Sequence, residues 1–409
     1  MTDDENWSYA GSRTVLGAVQ RGLGRAVFRV ASKPGGTELV LRCVVQDYRW
    51  DRQVDERAVY LARLVRQTKV LVTVLLSLLD EHPVDNGENT FDNALSTRSV
   101  LGRGDVPEAI DGLRAYVGAG PRWVEVLEQV AGDWPRELWD DLLPVAQARL
   151  ADSADDVVGN GAPWKDWATV DDRIAAVINS RRGPSCPRPL RSAPTDDLLA
   201  AVATDNVGRQ DTALRELNRR GPQPGLLPML DALAVDDLYF PVGRAVTLLG
   251  AQALPVARLW ASVPGHPMRW SGYRALAAHG DDSDVPALLA GWDWLDSRPD
   301  DLCGYDELAT GLAHIGGDSV RAVVPRLRRL WGSPHTYERA AYLRALLVLD
   351  LERVHLPLAE GLWDCEADVR QLAAEMAPLE PEVEARLAVL RDDKMETTQV
   401  RAAARARLG

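Results

Sequence analysis

Gly250…Leu259-Trp260, Gly280…Gly291-Trp292, Gly316…Leu330-Trp331 and Asp350…Leu362-Trp363 place successive tryptophans in one recurring setting, at intervals of 32 to 39 residues. Self-similarity at that spacing marks stacked supersecondary units, each unable to bury its apolar face alone. From Leu198 onward two kinds of apolar-periodic segment alternate, separated by the Gly, Pro and Asp of short connections between antiparallel helices. The first kind reads Arg244-Ala245…Leu249-Gly250, Tyr273-Arg274-Ala275-Leu276…Gly280, Leu308…Leu312…Gly316, Val369-Arg370…Ala373-Ala374 and Val400-Arg401-Ala402-Ala403-Ala404…Leu408-Gly409. Its small residues permit close helix approach, and its glycine suits a left-handed helix end. The second kind has a proline in its first turn and an aromatic at its end, as in Leu254-Pro255…Trp260 and Val285-Pro286…Trp292. The pattern predicts an all-α chain folded as a helical-repeat solenoid, an α-α superhelix.

The Val-Arg-x-Ala-Ala…Leu-Gly ending and the acidic turn before Val369-Arg370 resemble HEAT repeats of the phycobilisome-lyase-like type, over roughly the last 210 residues. Through Arg49-Trp50-Asp51-Arg52-Gln53 and Trp363-Asp364-Cys365-Glu366 the whole chain is similar to HEAT-repeat proteins of actinobacteria. The resemblance implies a HEAT-like fold and carries no activity with it. The segment around Leu308 departs from the repeat by lacking the Val-Arg pair.

Upstream, Glu38 to Val45, Asp51 to Arg66 and Val70 to Leu79 read as three amphipathic or buried helices. Gly104-Asp105-Val106-Pro107…Leu113-Arg114-Ala115-Tyr116 matches the later Asp284-Val285-Pro286…Gly291-Trp292. Ser180 to Pro194 is dense in Pro, Arg, Gly and Ser, which cannot continue a helix. These readings divide the chain into an N-terminal arm (1–36), N-terminal helical repeats (37–179), a Pro/Arg-rich linker or loop (180–195) and a C-terminal HEAT-like array (196–409).

Composition narrows the function. The formal charge of −13 disfavours a long footprint on a phosphate backbone, so a nucleic-acid partner is unlikely and a basic or neutral one fits better. The acidic start Met1-Thr2-Asp3-Asp4-Glu5 has no apolar core and no stretch has the length of a membrane helix, so the expected location is the cytoplasm. Cys43, Cys186, Cys303 and Cys365 form no CxxC pair and read as free thiols in a reducing compartment. His82, His266, His279, His314, His335 and His355 are scattered without HExxH or the His-Glu pairs of HEAT-type di-iron enzymes. No metal or cofactor is expected. Arg21-Gly22-Leu23-Gly24-Arg25 lacks the third glycine of a dinucleotide fingerprint, where Val27 stands.

Thirteen tryptophans accompany only three phenylalanines, and amphipathic aromatics are favoured where one edge meets water or a partner. Large fillers between repeats would account for the same letters. The candidate binding residues are Trp292, Trp331, Trp363 and Tyr273 from this set. Pro334-His335-Thr336-Tyr337-Glu338-Arg339 adds His335, Tyr337, Glu338 and Arg339 at the start of a predicted helix. The expected function is non-enzymatic: a scaffold, adaptor or inhibitor that binds a protein or peptide on an aromatic concave surface. The rival is a HEAT-like DNA-processing enzyme such as an alkylpurine DNA glycosylase, with Asp140 of Trp134…Trp139-Asp140-Asp141 beside aromatics that hold a lesion. An amphipathic helix capped by Asp133, with a stripe of Trp134, Leu138 and Leu142, explains the same residues. A basic groove gathering Arg57, Arg63, Arg66, Arg114 and Arg122 around Asp140 would favour the enzyme, and an acidic aromatic groove the basic partner.

Overall fold

The computed structural model describes residues 9–81, 89–151, 158–181, 190–298 and 303–409; the middle of the expected linker, 182–189, lies outside them. Among the described residues the chain is all-α, with α-helices joined by 3-10 turns and no strand. None of the described helices is long and apolar enough to cross a membrane. Two compact units form: Met1–Ser185 with Gly332–Ala340 and His355–Gly409, and Cys186–Trp331 with Ala341–Val354.

In the second unit, helices Tyr239–Leu249, Arg269–His279 and Tyr305–Ile315 contact one another in sequence. The intervening helices Leu254–Ser262 and Val285–Asp296 also meet each other, so alternate helices share a row. Pro255 and Pro286 sit in the first turns of the intervening helices, where a missing N–H leaves no hydrogen bond unmade. Trp260, Leu276, Leu288, Trp292 and Leu312 are buried, and this apolar seam holds the helix pairs together. The helix-ending glycines depart from the expected left-handed cap. Gly250 and Gly316 do take positive φ, 59° and 69°, but with ψ of −134° and −158°, so the chain leaves each helix extended rather than coiling back.

The first unit contains the long helices Thr90–Arg103, Pro107–Ala119 and Trp123–Asp133 along with the C-terminal Ala367–Met376, Pro381–Asp392 and Thr398–Leu408. Residues 9–30, from the segment set apart as an arm, pack into this unit as short helices with Ala18, Val19, Leu23, Ala26 and Val30 buried. Cys365 donates its backbone N–H to the Gly22 carbonyl at 3.0 Å, and Arg25 clasps Glu360 through Nε (2.7 Å) and Nη2 (2.9 Å). Two helix boundaries move from their expected places. The helix read from Asp51 begins at Ala58, because Asp51 and Asp55 bond to the intervening backbone and form a turn. Asp133 ends a helix instead of capping one, and 3-10 turns cover 136–138 and 140–142.

Candidate functional site

The open surface of the second unit is richest on the row Tyr239–Leu249, Arg269–His279 and Tyr305–Ile315. Where Tyr239–Leu249 and Arg269–His279 begin and Val285–Asp296 ends, a pocket of about 570 Å³ is walled by Tyr239, Phe240, Trp270 and Trp294, with Arg269, Arg298 and His266 on its edge. Phe240 is 79% exposed, while Trp270 and Trp294 are half-buried and stacked, with centroids 6.0 Å apart. Arg298 lies over the Trp294 ring at 4.7 Å, a cation–π contact that keeps the indole face polar-compatible. Gly304, at φ +95°, makes room for this packing, since a Cβ there would lie 2.5 Å from Cζ2 of Trp270. The aromatic residues thus present one apolar face and one wet edge.

One to two turns further along Tyr239–Leu249 and Arg269–His279, where Tyr305–Ile315 begins, lies a groove of about 270 Å³ lined by small residues such as Gly243, Ala275, Ala278 and Gly311. Positions 240, 243 and 247, and 270, 274 and 278, are three, four or seven to eight residues apart, so each set falls on one helix face. The groove's polar groups are Thr247, Ser271, Arg274, His279, Asp306 and Glu307. Arg274 Nε pairs with Glu307 Oε1 at 2.7 Å. Burial raises the Glu307 carboxyl above its ordinary value, and Arg274 offsets part of that. Asp306 has no resolved counter-ion among the described residues, which leaves this end of the groove acidic.

The expected binding residues are dispersed. Trp292, Tyr273 and Trp331 are buried in the second unit; Trp292 meets Tyr305 edge-on at 5.6 Å, and Tyr273 packs against Gly291. They are inter-helix fillers, and Tyr273 also meets Trp270 and Trp294 of the pocket. Trp363, in the first unit, is half-buried beneath Arg386, whose guanidinium lies 3.5 Å from the ring centroid. Of Pro334–Arg339 only Tyr337 is exposed, at 52%, whereas His335, Glu338 and Arg339 are buried. The helix starts at Arg339, so the motif precedes its first turn.

That motif is held by a polar network inside the first unit. Asp55 Oδ1 accepts from the backbone N–H groups of Thr336 (2.9 Å) and Tyr337 (2.8 Å) and lies 2.9 Å from His335 Nδ1. Burial works against the Asp55 charge, but these bonds overcome it and hold the carboxyl below the usual range. Glu366 accepts from Thr336 Oγ1 and, at 2.9 Å, from the Glu56 N–H; burial pushes its carboxyl up to about 7. Arg339 pairs with Asp364, and Arg370 makes a two-point pair with Glu396 at 2.8 Å for each bond. Apart from Glu56 and Tyr337, all of these residues are buried. The network joins distant chain segments.

Asp140 accepts from Arg136 Nη2 and Trp167 Nε1, each at 3.1 Å. Trp134 and Trp139 are buried, with the Trp134 N–H donated to Ser99 at 2.8 Å. Four of the five arginines expected to line a basic groove are engaged elsewhere, Arg114 with Asp141, Arg63 with Asp393 and Glu396, Arg57 with Cys365 and Arg122 over Phe91, while Arg66 is exposed. No group of His, Cys, Asp and Glu among the described residues has an arrangement that could hold a metal ion.

Sequence reasoning missed Trp270, Trp294, Tyr239 and Phe240 as a pocket. The first two stood in the aromatic series, but the repeat spacing drew attention to the buried position instead. The signal available was the pairing of Trp292 with Trp294: two residues apart on a helix, they cannot share a face. Comparison with known proteins finds no matching family model, no similar curated protein and no similar solved structure.

Proposed function

We propose that this chain is a HEAT-like α-solenoid that catalyses no reaction and binds a protein or peptide with basic side chains on the second unit. One observation carries the reading: Phe240 and Trp270 of the open aromatic pocket lie on the same helix faces as the small-residue groove that Asp306 and Glu307 line. Aromatic side chains with one free edge are effective anchors, because they bury much area at little cost in side-chain entropy. A lysine or arginine of the partner would neutralise Asp306 and share Glu307 with Arg274, while an apolar residue fills the pocket. The alternation of helices in two rows supports the solenoid reading. A cytoplasmic setting suits the free thiols of Cys43, Cys303 and Cys365.

Selection from a random peptide library on the immobilised protein tests this. Enriched sequences should combine lysine or arginine with an aromatic or aliphatic residue. Trp270→Ala should then weaken the best peptide by about 1–3 kcal/mol, the range of a contributing aromatic. Absence of enrichment, or enrichment of acidic sequences, would count against the proposal.

A further inference from the structure

The first unit has a cleft of its own, of about 820 Å³, lined by Val27, Arg63, Arg66, Trp363, Arg386 and Val389 with Asp392 and Asp393 on its rim. Arg386 is 5% exposed, yet among the described residues its one hydrogen bond runs from Nε to the Leu362 carbonyl at 3.2 Å. Its Nη2 is buried without an acceptor. A guanidinium does not shed its proton to escape such a place, so the charge stays, set against the Trp363 ring and without a counter-ion among the described residues. Burial and the neighbouring Arg63 both act against that charge.

The carboxylates nearby are already engaged. Asp393 accepts from Arg63 at 2.8 Å, Glu396 is shared by Arg63 and Arg370, and Asp392 pairs with Arg391 at 2.6 Å. Neither Arg66 nor Arg386 has an ion-pair partner among the described residues, and Arg66 is exposed on the cleft. The wall beside them is apolar and aromatic. Phe28, 60% exposed, meets Trp363 edge-on at 5.2 Å, and Val389 is exposed next to it. Cationic groups without an ion-pair partner among the described residues therefore sit beside an aromatic surface that is open at Phe28 and half-open at Trp363.

We infer that this cleft binds a small oxyanion carried on a planar apolar group, an aryl carboxylate or aryl phosphate. The oxyanion draws on Arg66 and Arg386, and the ring lies against Trp363 and Phe28. Arginine suits both head groups because its fork of N–H donors matches two oxygens at once. The site is independent of the peptide surface on the second unit.

The test uses the full chain with benzoate, phenyl phosphate, inorganic phosphate and neutral benzyl alcohol, followed by titration calorimetry and tryptophan fluorescence. At least one aryl anion should bind saturably at one site, about tenfold or more tighter than both inorganic phosphate and benzyl alcohol. The tighter of the two anions identifies the head group. Arg66→Gln, on an exposed side chain, should weaken binding about tenfold without moving the melting temperature, and Trp363→Phe should remove the ligand-induced fluorescence change. The inference is overturned if neither aryl anion saturates, if benzyl alcohol binds as well, or if Arg66→Gln leaves affinity unchanged.

Discussion

His335 Nδ1 lies 2.9 Å from Asp55 Oδ1 although the two residues are 280 positions apart in the chain. The same oxygen also accepts from the Thr336 hydroxyl and two backbone N–H groups, so one carboxylate fixes the course of the chain before Arg339. Removing it leaves several buried donors unpaired at once. Asp55→Ala should therefore destabilise the first unit by about 3–5 kcal/mol, as expected when one partner of a buried polar pair is deleted. Chemical denaturation would measure it. A loss within the range of a surface substitution would mean that the network contributes little.

Glu366 predicts the pH dependence of stability. Its folded value of about 7 lies above the ordinary 4.5, so between these values the folded state holds the proton more tightly than the unfolded chain. Its contribution is full below the lower value and is lost as the pH rises through the upper one. The loss is of order 3 kcal/mol. Burial raises Glu56 too, which acts in the same direction. Asp55 and Glu396 are both lowered, so their stabilisation is present at neutral pH and disappears in acid, below about pH 4. Melting temperature should consequently fall between pH 5 and about 7.5, and Glu366→Gln should remove most of that slope. Equal slopes in the two proteins would contradict the assignment.

Tyr337 and Trp292 separate surface from core. Tyr337→Ala, at a half-exposed ring, should change stability by about 1 kcal/mol or less. Trp292, 1% exposed, should cost roughly 3–5 kcal/mol when truncated to alanine, because the emptied volume cannot be refilled by its neighbours. Paired unfolding curves decide the matter, and comparable losses would mean that Tyr337 is a packing residue too.

The helices were readable because their signals are local. Proline in the first turn, glycine at the end and apolar residues at a spacing of three and four all act within one element, as in Leu254–Ser262 and Val285–Asp296. The positions of His335, Glu338 and Arg339 were not, because their burial depends on Asp55, Asp364 and the Arg21 carbonyl, none of which is near them in sequence. The start of the Ala58 helix is hidden for a different reason. Asp51 and Asp55 look like ordinary polar positions on an amphipathic helix, but their side chains accept from backbone N–H groups two to four residues away and form a turn instead. The repeat's regularity points away from the pocket: it places tryptophan where every layer needs a filler, whereas Trp270, Trp294 and Phe240 occur outside that register.

In the proposed complex a basic peptide lies along the second unit from the aromatic pocket to Asp306 and Glu307. Hydrogen–deuterium exchange of the full chain, with and without the best library-selected peptide, tests it most directly. Binding should slow exchange in Tyr239–Leu249, Arg269–His279 and Tyr305–Ile315. Protection confined to the first unit, or spread evenly over the chain without focus on those helices, would contradict the account.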